Sequence, residues 1–114
     1  MKFSKVTLVA IDDDPELLNL ISTALHDEED LQIMTVTDPA KGLEIVRRQR
    51  PHIVLVDLRM PNISGMDLLE AIVNMDPATD VILMTAYYTT ESVVEAIQKG
   101  ACDYLNNPFT GEQL

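Results

Sequence analysis

Short apolar runs alternate with segments of helical spacing along this chain. The runs Val6 to Ile11, Gln32 to Val36, Ile53 to Val56, Val81 to Met84 and Cys102 to Leu105 have strand length. Their near-continuous apolarity predicts strands covered on both faces. Between them, Leu17, Ile21, Ala24 and Leu25 fall on one helical face, and Leu69, Ile72 and Val73 on another. Val93, Val94 and Ile97 mark a third, shorter stripe. This alternation implies an α/β fold: an open parallel sheet with helices on its faces. Asp14-Pro15 and Asp38-Pro39 each place an N-cap acceptor before a first-turn proline, and Gly100 after Lys99 suits the position just past a helix end. Five strands, four helices and the beginning of a fifth helix are expected. Residues 110–114 read as a first turn with no remainder, so the expectation is a longer natural chain or a partner packed over the gap.

At 114 residues the length fits one domain, 1–114, with no repeat or linker. A chain of this size buries roughly 65 per cent of its unfolded surface, enough for a core without disulfides. The single Cys102 permits no internal bridge and no multi-cysteine zinc site. Eight basic against 19 acidic side chains give a net charge of −11, which argues against binding to nucleic acid and favours a cation or a basic protein partner. No run reaches the roughly 20 apolar residues of a membrane span, and the N-terminus meets acids where a signal peptide needs a small-residue cleavage site. A cytoplasmic location without membrane contact is expected.

In open α/β sheets, ligands bind beyond the carboxyl ends of the strands. There the sequence puts Asp12, Asp13 and Asp14 after the first strand, Asp57 after the third and Thr85 after the fourth. If the first and third strands are neighbours, about 4.8 Å apart, Asp12 or Asp13 faces Asp57 at close range. Like charges so close raise a pKa or recruit a cation, and an all-oxygen site suits a hard ion such as Mg²⁺. Such an ion can hold a phosphoryl oxygen against a carboxylate, so Asp57 becomes a candidate nucleophile and Thr85 a hydroxyl donor to the phosphoryl group. Asp14 reads as the helix cap.

The stretches VAIDDDPE at 9–16, IVLVDLRMPNISGMDLL at 53–69, VILMTAY at 81–87 and GACDYLNNPF at 100–109 resemble the receiver domain of two-component response regulators. Asp57 to Pro61 with Gly65 is the most specific part. The resemblance covers essentially the whole chain up to the missing part of the fifth helix. It implies a doubly wound, flavodoxin-like fold with five parallel strands in the order 2-1-3-4-5, and a phosphoryl group taken from a sensor histidine kinase or phosphotransfer protein onto Asp57. It further implies that Asp13 binds Mg²⁺ directly and Asp12 largely through water, with the carbonyl of Arg59 completing the protein ligands. Thr85 and Tyr104 would be the switch residues, and the fourth helix, fifth strand and fifth helix the output surface. Such a domain is regulatory, not a metabolic enzyme, although it promotes its own phosphorylation and dephosphorylation. Homodimerisation stays open.

One position departs from the family pattern. Where a lysine ordinarily precedes the last proline, this chain has Asn107 before Pro108. A unit charge pair at about 4 Å contributes on the order of 4 kcal/mol at an effective dielectric near 20, before desolvation is subtracted. The expectation is that metal binding persists while phosphorylation slows and coupling to the output face weakens. Lys99 is badly placed to compensate, whereas Arg59 could reach over. Arg59 and Tyr87, both bulky and both looking toward the site in this family, predict slow self-dephosphorylation.

The alternative is a degenerate receiver acting as a constitutive protein-interaction module, for which Asn107 and the short fifth helix speak. A phosphohydrolase using Asp12 and Asp14 lacks a cap domain, a lysine in the expected place and sufficient length. A calcium loop starting at Asp12 fails because Leu17 stands where the turn needs glycine. His26 and His52 read as structural or surface residues, Cys102 as a small core residue, Met60, Met66, Met75 and Met84 as packing, and residues 27–30 as a solvated acidic loop.

Overall fold

The computed structural model describes residues 6–58, 60, 63–85 and 89–106, with the backbone alone for 85 and 104–106. Five strands alternate with four helices: β1 (Val6–Ile11), α1 (Pro15–Leu25), β2 (Leu31–Val36), α2 (Pro39–Gln49), β3 (Ile53–Asp57), α3 (Gly65–Met75), β4 (Asp80–Thr85), α4 (Thr90–Gln98) and β5 (Asp103–Asn106). The sheet is parallel with order β2-β1-β3-β4-β5, the flavodoxin-like arrangement. None of the described helices is long and apolar enough to cross a membrane.

Strand composition follows from burial on both faces. Val9, Ile11, Val54, Val56, Val81 and Leu83 point to one side, where α2 adds Val46, α3 adds Leu68, Leu69 and Ile72, and α4 adds Ala96. Leu8, Ala10, Leu55 and Met84 point to the other, against Leu18, Ile21 and Leu25 of α1. Each buried aliphatic side chain contributes about 1.5–3 kcal/mol relative to exposure. Truncating Ile72, which is fully buried, to Ala therefore costs about 2–5 kcal/mol.

The first two helices start where the sequence places their caps. Asp14 accepts the amide hydrogen of Glu16 and Asp38 that of Ala40, both at 3.0 Å, and a proline follows each cap. Ser64 caps α3 by accepting from Met66, and Thr89 with Ser92 forms a reciprocal capping box on α4. After α4, Gly100 takes φ 108°, a left-handed conformation that glycine adopts without a Cβ penalty.

Four expectations about packing need correction. In α1, Leu18 joins the buried stripe and Ala24 is exposed, because the helix is rotated slightly from the expected face. In α4 the expected stripe is split: Val93 is half-buried on the side of Ala96, which makes the buried contact, whereas Val94 and Ile97 are 48 and 58 per cent exposed. β5 begins at Asp103 rather than Cys102, which leaves the Cys102 side chain exposed at the strand's entrance. Met75 is exposed on α3, whereas Met60, Met66 and Met84 are core residues.

Candidate functional site: an acidic cluster at the carboxyl ends of the strands

The register of the sheet assembles the site. Ile11 of β1 is level with Val56 of β3, so one further residue along each strand sets Asp12 beside Asp57. Asp57 closes β3, and Thr85 closes β4 one residue beyond Met84, the partner of Asp57. The side chains of Asp12, Asp13 and Asp57 each offer a carboxylate oxygen, and these oxygens lie within 4.8 Å of one another. Among the described residues this is the one cluster of three or more His, Cys, Asp or Glu close enough to hold a metal ion.

The three acids sit in different surroundings. Asp13 is exposed and Asp57 half-buried, while Asp12 is fully buried. The Asp12 backbone continues the sheet, its amide donating to the carbonyl of Val36 at 3.1 Å. Its Oδ1 accepts the amide hydrogen of Asp14 at 2.9 Å, whereas Oδ2 is buried and accepts nothing from any described donor. Beside it stand the Asp13 and Asp57 carboxyls, which become hydrogen-bond partners for Asp12 only when a proton is shared among them. Burial pushes the Asp12 carboxyl up to about 7, the Asp14 amide opposes this, and the charge of Asp57 adds to it. An all-oxygen set of like charges with an undonated buried oxygen fits a small hard dication in place of that proton.

The loop after β3 is fixed from below. The Leu58 amide donates to the Met84 carbonyl at 2.9 Å, and the Gly65 amide to the Leu58 carbonyl at 3.0 Å. Backbone bonds thus hold Asp57 at the rim from both β4 and the start of α3.

Of the residues singled out in the sequence, Asp12, Asp13 and Asp57 converge, and the backbones of Thr85 and Tyr104 lie on adjacent strands, with Leu83 of β4 level with Tyr104. Arg59, Tyr87 and Asn107 lie outside the described residues, as do the side chains of Thr85 and Tyr104. Asp14 is the α1 cap, as expected. His26 and His52 play structural parts: His26 Nδ1 meets the Thr23 carbonyl at 2.7 Å and Nε2 the Asp27 carboxylate at 3.0 Å, and His52 Nδ1 accepts the Thr7 amide hydrogen at 3.0 Å. This last bond, which no spacing along the chain foreshadows, joins β1 to the residue just before β3. The Cys102 thiol is held above its usual pKa, first by partial desolvation and then by the carboxylates of Asp80 and Asp103, so it is a poor nucleophile.

Comparison with known proteins agrees with this geometry. The family model of the response regulator receiver domain matches residues 8–114. The probable transcriptional regulatory protein TcrX of Mycobacterium tuberculosis is 34% identical over 109 residues, covering 96% of this chain and 46% of TcrX. The transcriptional regulatory protein GlrR of Escherichia coli is 32% identical over 114 residues, covering 100% of this chain and 26% of GlrR. The chain thus spans less than half the length of these relatives. Among solved structures, a response regulator receiver domain protein from Clostridium thermocellum superposes with a TM-score of 0.86 at 28% identity, covering 94% of this chain and 86% of that one. The BeF3-activated receiver domain of DrrB, a Thermotoga maritima protein, gives 0.85 at 28% identity, covering 96% and 90%. The chain belongs to the response regulator receiver domain family.

Proposed function

We propose that this chain, as a single regulatory unit over residues 1–114, accepts a phosphoryl group on Asp57 from the phosphohistidine of a sensor histidine kinase or phosphotransfer protein, in a Mg²⁺-dependent reaction. The observation that carries this reading is the convergence of Asp12, Asp13 and Asp57, with one buried oxygen of Asp12 receiving no hydrogen bond. Activation by BeF3 of the similar DrrB receiver domain supports it by analogy.

Asp13 and Asp57 would hold Mg²⁺ directly, Asp12 largely through water, and the Arg59 carbonyl would complete the protein ligands. When bound, the ion supplies positive charge against the phosphoryl oxygens. An Asp57 carboxylate oxygen attacks phosphorus, the bond from phosphorus to the histidine nitrogen breaks, and the nitrogen keeps the electron pair. Burial of Asp12 and the fixed β3 end keep the nucleophile in place without reorganisation. Thr85 then donates its hydroxyl hydrogen to the phosphoryl group, and Tyr104 turns inward behind it. The surface of α4, β5 and the helix that follows responds to the added charge of about −1.5 to −2. The domain works in the cytoplasm and contacts neither nucleic acid nor membrane itself.

Asn107 in place of lysine weakens the hold on the phosphoryl oxygens, which favours a second reading, a degenerate receiver that binds its partner constitutively. Incubation with Mg²⁺ and a small phosphodonor, followed by intact mass, separates the two. The parent chain should gain one phosphoryl group, Asp57→Ala none, and Asn107→Lys the same group faster. Labelling of Asn107→Lys alone would establish the degenerate receiver, and labelling of Asp57→Ala would remove the proposal altogether.

A further inference from the structure

We infer that the basic end of α2 is a docking surface for a second copy of this chain, in a two-fold dimer made at the amino-terminal rim of the sheet, away from the acidic cluster. The inference does not depend on phosphorylation.

The distribution of cations is the first observation. Of eight Lys and Arg residues, Lys2, Lys5 and Arg59 lie outside the described residues and Lys99 pairs with Glu70 at 2.6 Å. The other four, Lys41, Arg47, Arg48 and Arg50, all sit on α2 and its C-cap and are exposed. Glu44 alone among the described acids engages them, shared between Arg47 and Arg48. Among the described residues of a chain of net charge −11, the C-terminal end of α2, with Arg47, Arg48 and Arg50, is therefore locally positive, while Lys41 lies in the first turn at the other end of the helix. Arg47 and Arg48 complement the helix dipole, which explains cations in the last turn but not the extension to Arg50. Arg50 takes φ 45°, where a side chain costs energy that glycine would avoid.

The second observation is where the matching acids lie. Asp27, Glu28, Glu29 and Asp30, all exposed, form the turn between α1 and β2 at the same rim. The Val6 amide donates to the Asp30 carbonyl at 2.8 Å, and the His52 amide to the Thr7 carbonyl at 3.0 Å. The start of β1 is thus bracketed by the acidic turn on one side and the segment following the basic helix end on the other. The two patches also leave the sheet on opposite faces, because α1 packs with Leu8 and Ala10 and α2 with Val9 and Ile11. A two-fold axis perpendicular to β1, lying across the sheet just beyond its amino-terminal rim, turns the second copy rim to rim with the first and exchanges its faces. It lays the acidic turn of each copy on the basic helix end of the other, an isologous and closed contact.

A second copy suits this patch better than a nucleic acid, since a long polyanion needs more cations and would meet the acidic remainder of the surface. Repulsion between the remote acids of two copies fades beyond a Debye length of about 8 Å, while the facing patches stay within it. The result is a weak, salt-sensitive dimer.

Sedimentation velocity on the purified chain, without phosphodonor, tests this at low and high salt. Dimer at low salt that dissociates as salt rises is the expected result. Arg47→Glu with Arg48→Glu in one variant, and Glu28→Arg with Glu29→Arg in another, should each weaken self-association on the order of tenfold or more. An equimolar mixture of the two variants should recover a heterodimer, which neither forms with itself, and this recovery also shows that both variants are folded. Val94→Asp with Ile97→Asp should leave the dimer intact. A monomer at every concentration, a dimer indifferent to salt, no recovery in the mixture, or loss of the dimer on changing Val94 and Ile97 would each overturn the inference.

Discussion

Gly65 lies against the backbone of Asp57, so closely that a Cβ at position 65 would overlap the Asp57 carbonyl oxygen and stand 2.5 Å from the Cα of Leu58. The obstacle is main chain, which has no flexible end to swing aside. Gly65→Ala is therefore expected to cost about 1–3 kcal/mol of stability, in the range of core overpacking. It should also slow phosphorylation of Asp57 more than a remote mutation of equal cost, because the strand end moves with it. Urea denaturation paired with labelling rates checks both, and unchanged stability would mean that the loop after β3 relaxes freely.

Asp12 makes the metal-free protein sensitive to pH in an unusual direction. Its folded pKa stands near 7, above the ordinary 3.8, so its contribution favours folding fully below about pH 3.8 and is lost as pH rises through 7. The loss is at most about 4 kcal/mol across that window. Asp12→Asn should raise the melting temperature in EDTA at pH 8 and flatten the slope between pH 4 and 7. Mg²⁺ should stabilise the parent more at pH 8 than at pH 5, and Asp12→Asn much less at either. Equal stabilisation of parent and variant by Mg²⁺ would place the ion elsewhere.

Arg50 gives a prediction of the opposite sign. Replacing it with glycine removes a left-handed side-chain penalty of about 1–2 kcal/mol but adds unfolded-state entropy, leaving a net gain of up to about 1 kcal/mol. Thermal unfolding of Arg50→Gly should show a slightly higher midpoint. A lower midpoint would mean that the Arg50 side chain makes stabilising contacts outweighing its backbone cost.

His52 fastens β1 to the start of β3 by accepting the Thr7 amide hydrogen at 3.0 Å. His52→Ala leaves that donor to water and is expected to cost about 0.5–1.5 kcal/mol, with no change in labelling of Asp57. Equilibrium unfolding of the variant measures it directly.

Much of this was legible in the chain. The strands could be read because a sheet covered on both sides demands runs such as Ile53 to Val56, and the helix starts because Asp14-Pro15 and Asp38-Pro39 combine an acceptor with a preset φ. The meeting of Asp12 and Asp13 with Asp57 was readable once β1 and β3 were taken as neighbours. Other features depend on rotation and position that a one-dimensional pattern lacks. α4 carries two candidate stripes, and the small Ala96 won over Val94 and Ile97. Cys102 lies one residue short of β5, where an apolar run looks the same as the strand itself. Which of three neighbouring acids is desolvated follows from the turn after β1, since it is Oδ1 of Asp12 that receives the Asp14 amide.

Anchorage is uneven across the sheet. Ala96 is the one fully buried side chain of α4, which otherwise rests on its capping box and the Lys99–Glu70 ion pair, whereas α3 sinks five residues into the core. Amide protons of α4 should accordingly exchange with deuterium well before those of α3, through local opening that leaves β1 and β3 closed.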